Sequence, residues 1–101
     1  MVAAMSRLSG PVGAIAEISR MGDENLGSWL RQYDGYRGIL VLVDDDGHTA
    51  RLVTLWETAA DEERARASRG AMRDQLASTA GMEVVEFGVY EVAACEIVTQ
   101  A

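Results

Sequence analysis

Residues 36–56, YRGILVLVDDDGHTARLVTLW, hold the pattern on which the reading of the fold turns. Tyr36 to Val43 reads as a strand whose core, Ile39-Leu40-Val41-Leu42-Val43, is apolar at every position, the mark of a strand buried on both faces. Asp44-Asp45-Asp46-Gly47 supplies hairpin-turn chemistry, with Gly or Asp available for positive φ. The return strand, Ala50 to Trp56, alternates. Ala50, Leu52, Thr54 and Trp56 fall on one face, and Arg51, Val53 and Leu55 on the other. The hairpin is therefore mostly apolar on both sides.

On the N-terminal side, Val2 to Leu8 is short, apolar-leaning and bounded by Ser9-Gly10-Pro11, which reads as a strand followed by a helix start. Val12, Ile15, Ala16 and Ser19, then Leu26, Trp29, Leu30 and Tyr33, fit helical spacing and predict a mostly helical segment from 12 to 33. Gly22-Asp23 either kinks that helix or splits it, with Asp23 capping the second half. On the C-terminal side, Thr58 with Asp61 three residues on is a variant of the capping box and starts a second helix. The spacings of Asp61 to Arg64 and Glu62 to Arg66 allow side-chain ion pairs. Ala65, Ser68, Met72, Gln75 or Leu76, and Thr79 form its expected inner stripe, and Gly81 is the expected stop. From Met82 strand character returns through Val84, Val85, Phe87, Val89, Tyr90, Val92, Ile97 and Val98, with Gly88 as a candidate bulge.

The order strand, helix, strand, strand, helix, strand is that of a ferredoxin-like α+β domain. It predicts a four-stranded antiparallel sheet with both helices on one face. Two helices cover one side only. The second face carries about as many apolar side chains, more than soluble monomers normally leave wet. A homodimer through the open sheet face, closing into a dimeric α/β barrel, is the expected solution.

At 101 residues the chain has room for one domain, 1–101, and its 49% hydrophobic and 25% charged residues suit a folded protein. Sixteen acids against nine basic residues, all Arg, give a net charge of −7. That balance disfavours nucleic acid and anionic membrane surfaces, which need basic patches. The longest aliphatic run, Ile39 to Val43, falls far short of the ~20 residues of a membrane span. The N-terminal Ala-rich stretch superficially resembles a signal peptide, but Arg7 interrupts it and Glu17 follows, so it is assigned to the fold. Cys95, the one cysteine, can form no intramolecular disulfide, and a reducing, cytoplasmic setting is expected.

His48, the only histidine, sits in the hairpin turn and reads as a solvated loop residue. The acidic cluster Asp44 to Asp46 departs from the EF-hand pattern, since the twelfth residue from Asp44 is Leu55 and not Glu. No paired Cys/His spacing suggests zinc, and no spacing of the glycines matches a nucleotide-binding loop, so neither metal nor cofactor is expected. Asn25, Trp29 and Tyr33 lie four apart on the first helix, where they form either a packing stripe or one wall of a pocket below the sheet, with Asn25 as its polar contact. Trp56 reads either as a core aromatic closing the sheet against the second helix or as the aromatic wall of that pocket. Arg51 points away from Trp56 and suits a rim or interface ion pair.

Tyr-Asp-Gly-Tyr-Arg-Gly (Tyr33 to Gly38), the apolar strand, the acidic turn, Leu-Trp-Glu (Leu55 to Glu57), the Ala/Arg-rich helix and Tyr-Glu-Val (Tyr90 to Val92) together carry a resemblance. Over nearly its whole length the chain resembles the dimeric α+β barrels of the antibiotic biosynthesis monooxygenase type. That family includes oxygenases of aromatic polyketides that work without metal or flavin, haem-degrading enzymes, and small proteins of unassigned role. The resemblance matches Trp56 to a pocket tryptophan of the oxygenases and haem-degrading members. It disfavours the haem-degrading branch, because the first strand has no Asn and the second helix no His. Three readings of function stand. The first is a homodimer binding a small apolar or aromatic molecule between sheet and helices, with Trp56, Trp29, Tyr33 and Asn25 around it. The second is a cofactor-independent monooxygenase of aromatic substrates. The third is an assembly module without ligand.

Overall fold

The hairpin forms where the apolar run and the acidic turn dictate. In the computed structural model, which describes residues 1–11, 13, 20, 30–68 and 81–97, the strands are β1 (Val2–Ser9), β2 (Tyr36–Val43), β3 (Thr49–Trp56) and β4 (Glu83–Glu91). Asp44 N–H donates to Thr49 O at 2.9 Å and Gly47 N–H to Asp44 O at 3.0 Å, closing the turn between β2 and β3. Gly47 takes φ 71°, a conformation glycine adopts without a Cβ penalty. All pairings are antiparallel, in the order β2-β3-β1-β4. The architecture is the ferredoxin-like α+β fold.

The Ala-rich N-terminal stretch is a central strand. Val2 pairs with Trp56 on one side and Glu91 on the other. Alternation then sorts the sheet into two faces. Ala4, Ser6, Leu8, Ala50, Thr54 and Trp56 point to one face and are all buried. That face packs in two clusters: Leu8, Ala50 and Met82 with Val41 and Val84, and Leu30, Trp56 and Ala65 with Val2, Tyr33, Tyr36 and Ile39. Leu30 and Ala65 are both helical, so helical residues from before β2 and after β3 share the same side of the sheet.

Residues 59–68 are helical, and the predicted cap is in place: Asp61 N–H donates to the Thr58 hydroxyl at 3.1 Å. Asp61 pairs with Arg64, and Arg66 lies against Glu62. Gly35, at φ 82°, lies where a Cβ would collide with the Asp61 carboxylate, so the turn before β2 and the helix start require glycine there. Glu57 N–H donates to Gly35 O at 2.8 Å and fixes the two together.

Several expectations need correction. The run Ile39 to Val43 is not buried on both faces of one chain: Leu40 and Leu42 point to the sheet face opposite the helices and are exposed, as is Val43 at the end of β2, an edge strand. Helical structure reaches Leu30 and gives way to turns over 31–35, short of residue 33. The irregularity of β4 is not at Gly88, which pairs regularly with Met5. The register slips where Arg7 faces Glu86 and Leu8 faces Val84, leaving Val85 as the extra residue. Strand structure ends at Glu91, and 92–97 continue without it. On the second helix Ser68 is exposed and Glu62 takes its expected place inside, because the inner stripe runs through 62 and 65. The question of a break at Gly22 lies outside the described residues.

Candidate functional site

The most enclosed aromatic in the described structure is Trp56, 0% exposed at the end of β3. Three features hold it. The Tyr36 ring, directly opposite on β2, meets it edge-on with centroids 5.7 Å apart and planes at 66°. Its indole Nε1–H donates to the Thr54 hydroxyl at 2.9 Å, two residues back on the same face. Leu30 and Ala65 pack it from the helical side. A slip in register between Tyr36 and Gly38 leaves Arg37 unpaired in the ladder, and its guanidinium reaches Glu57 at 3.0 Å. That bulge keeps Tyr36 facing Trp56 while Gly38 faces Leu55.

Burial pushes the Tyr36 hydroxyl above the ordinary tyrosine value of 10.0, and the charge of Arg31 offsets this only partly. Tyr36 is therefore a neutral phenol at physiological pH and can donate a hydrogen bond. Polar groups also lie inside the layer between sheet and helix. Ser6, Thr54 and Glu62 are all buried. Arg66 lies 3.4 Å from Glu62 Oε1 through its Nε and stacks over Phe87, 5.1 Å from the ring centre. Phe87 faces Ser6 across the β1–β4 ladder. Thr54 is paired with the indole, whereas Glu62 Oε1 makes no hydrogen bond, and a buried polar atom left unpaired costs free energy.

Of the residues singled out from sequence, Trp56 and Tyr33 come together in one cluster. Asn25 and Trp29 lie outside the described residues. Arg51 points to the opposite face and pairs with Asp44 at 2.7 Å. His48 is exposed in the turn, its backbone N–H held by Asp46 at 2.8 Å and its Nδ1 3.3 Å from Gly10 O. Cys95 is exposed beyond β4. Among the described residues no three His, Cys, Asp or Glu side chains gather as metal ligands. No described helix is long and apolar enough to cross a membrane.

Sequence reasoning missed Tyr36, Thr54 and Glu62 as parts of this site. Alternation along β3 already puts Thr54 on the Trp56 face, and Tyr36 belongs to the Tyr33 to Gly38 motif. Glu62 carried no signal, because an acid four residues before an Arg looks like half of a solvated pair.

No protein-family model matches the sequence, and no curated protein is significantly similar to it. Solved structures do match. A candidate antibiotic biosynthesis monooxygenase from Deinococcus radiodurans superposes with a TM-score of 0.72 at 17% identity, covering 99% of this chain and 100% of that one. A mutant of a cofactor-independent oxygenase from Streptomyces nogalater gives 0.71 at 19%, covering 93% and 94%. A monooxygenase from Streptomyces coelicolor, solved in complex with nanaomycin D, gives 0.73 at 12%, covering 97% and 92%.

Proposed function

We propose that this chain, which has the fold of the antibiotic biosynthesis monooxygenase-like proteins of the dimeric α+β barrel superfamily, binds a small apolar or aromatic molecule between its sheet and helices and works as a homodimer. One observation carries the ligand reading. Trp56, with Tyr36 edge-on and its N–H fixed by Thr54, forms a rigid aromatic corner beside buried polar groups, the mixture typical of sites that hold a flat, mostly apolar molecule in one orientation. The dimer reading rests on the open sheet face, where Leu40, Leu42 and Tyr90 are 44%, 47% and 51% exposed. In this reading Tyr33, Trp29 and Asn25 complete the pocket around Trp56, and the protein resides in the cytoplasm.

Thermal-shift measurements with quinols, polycyclic aromatics and fatty acids at saturation test the first half: at least one class raises the melting temperature. No shift with any class would leave the assembly-module reading in its place. Light scattering tests the second half, with a mass of twice the 10.9 kDa chain expected in dilute solution.

A second reading is favoured by the two Streptomyces oxygenases that share the fold. In it the bound molecule is a reduced aromatic that reacts with dioxygen without any cofactor. With an anthrone-like substrate, the ring CH₂ becomes C=O, one oxygen atom enters the product and the other leaves as water. Trp56 and a polar neighbour such as Asn25 would position the ring for this. Oxygen uptake with such a substrate separates the enzyme from the binding protein, and unchanged uptake in Trp56→Phe would remove Trp56 from the mechanism.

A further inference from the structure

The ion pairs of the open sheet face form a line. On the two central strands Arg7 stands directly opposite Arg51, and each has an acid on its outer side. Glu86 of β4 lies 3.2 Å from Arg7 Nε, and Asp44, at the end of β2, lies 2.7 Å from Arg51. Across the sheet the charges therefore run minus, plus, plus, minus. Like charges directly opposite on neighbouring strands repel each other, so the inner pair works against the sheet unless the outer acids offset it.

The line runs through the apolar surface. Leu42, exposed, pairs with Arg51 in the same row, and Met5 and Val53 lie two residues from the arginines on the same face. A cover that takes Leu40 and Leu42 out of water must also reach the guanidiniums. Each guanidinium carries five N–H donors, yet among the described residues Arg7 meets only Glu86 and Arg51 only Asp44. Arg7 Nε is already buried and makes no hydrogen bond, with Glu86 close but out of line. The remaining donors are left for acceptors brought by whatever covers the face.

We infer that Asp44 and Glu86 are the specificity-determining residues of the open face, and that they fit it to a second copy of this chain; the inference rests on the homodimer reading above. With both acids in place the line is neutral, so it enters an interface without demanding a counter-charge. A second copy meets that condition, because it carries the same neutral line and brings two acids on the same surface. A strongly charged partner would leave unbalanced charge in the contact. Without one acid, two adjacent guanidiniums lose half of their neutralisation just where the cover closes.

Sedimentation equilibrium of the full-length protein tests this. Glu86→Gln is expected to weaken dimerisation at least about tenfold at low salt, although it makes the chain less negative and so reduces overall repulsion between copies. The gap from the wild type should narrow in about 1 M salt, which screens the exposed arginines. Adding Arg7→Gln to Glu86→Gln makes the line neutral again and should bring the dimer back to within about threefold of the wild type, a recovery that a purely structural role for Glu86 would not produce. If the Glu86 variant does not fold, Asp44→Asn with Arg51→Gln as its rescue gives the same test on the other pair. A single variant that dimerises like the wild type, or a double variant no better than the single, overturns the role of the acids and leaves the dimer standing. A monomeric wild type removes both.

Discussion

Along β3 the helix-facing Ala50, Thr54 and Trp56 are buried and Leu52 is half-buried, whereas across the same backbone Arg51 and Val53 stay half-exposed, Leu55 alone is buried, and the β2 neighbours Leu42 and Leu40 are exposed. The two faces are almost equally rich in aliphatic residues. The difference lies in what is stacked on them. One face has helices over it and packs two clusters, while the other carries no second layer among the described residues. The open face is also graded along its length. At one end Arg7 and Arg51 stand directly opposite each other, each held by an acid on its outer side, Glu86 at 3.2 Å and Asp44 at 2.7 Å. At the other end lie Ala3, Met5, Leu40, Leu55 and Tyr90, with the Tyr90 ring over Gly88, where a Cβ would strike it. A fold of this size can thus satisfy one side of its sheet and leave the other half-finished.

The largest perturbation of this contrast should come from Trp56→Ala, which empties the closed face. It should destabilise the protein by about 3–5 kcal/mol, measured by urea unfolding, through lost burial and the cavity left behind. A loss below about 1 kcal/mol would mean that the site collapses freely and that Trp56 is not the corner described here. Next, Thr54→Val keeps the shape of the same face but removes the hydroxyl that accepts the indole N–H, at a cost of about 1–2 kcal/mol.

Tyr36 gives a pH-dependent test of the same corner. Its folded value lies above the ordinary 10.0, so the folded protein holds the phenolic proton more tightly than the unfolded chain. The associated stability is fully present below pH 10 and is lost as pH rises from there through the folded value. Tyr36→Phe should flatten that alkaline limb in pH-dependent unfolding, and one tyrosine should be missing from the late part of the tyrosinate absorbance titration. The smallest effect on the folding of a single chain is expected from Leu42→Asp on the open face, within about 0.5 kcal/mol. The same substitution should halve the mass seen by light scattering if the open face holds a second copy, and an unchanged mass would place the interface elsewhere.

The hairpin, the first strand, the Thr58 cap and the side of β3 on which Trp56 lies were all readable because each depends on local periodicity or on one side-chain hydrogen bond. The failures depend on longer-range relations. The run Ile39 to Val43 suggests an interior strand, yet its place at the sheet edge is set by the crossover order, which alternation cannot reveal. Val85 rather than Gly88 carries the bulge because the slip is settled by the partner strand, where Arg7 and Glu86 keep their ion pair. Glu62 and Ser68 exchange their expected places because the angle at which a helix lies on a sheet selects its inner stripe, and the small residues of this helix permit more than one choice. The Tyr33 to Gly38 motif and Leu55 to Glu57 were enough for the fold. They gave no notice of the buried carboxylate opposite.

The central position of β1 has a consequence for how the chain folds. Of these four strands β1 is made first, yet it pairs only with strands made much later, Val2 with Trp56 and then with Glu91. The β2–β3 hairpin is the one local pairing and can close within microseconds of its synthesis. The sheet cannot be completed until β4 has emerged, so non-local contacts set the folding rate. Until β3 has emerged β1 has no partner, and until β4 has emerged its other edge stays open to other nascent copies.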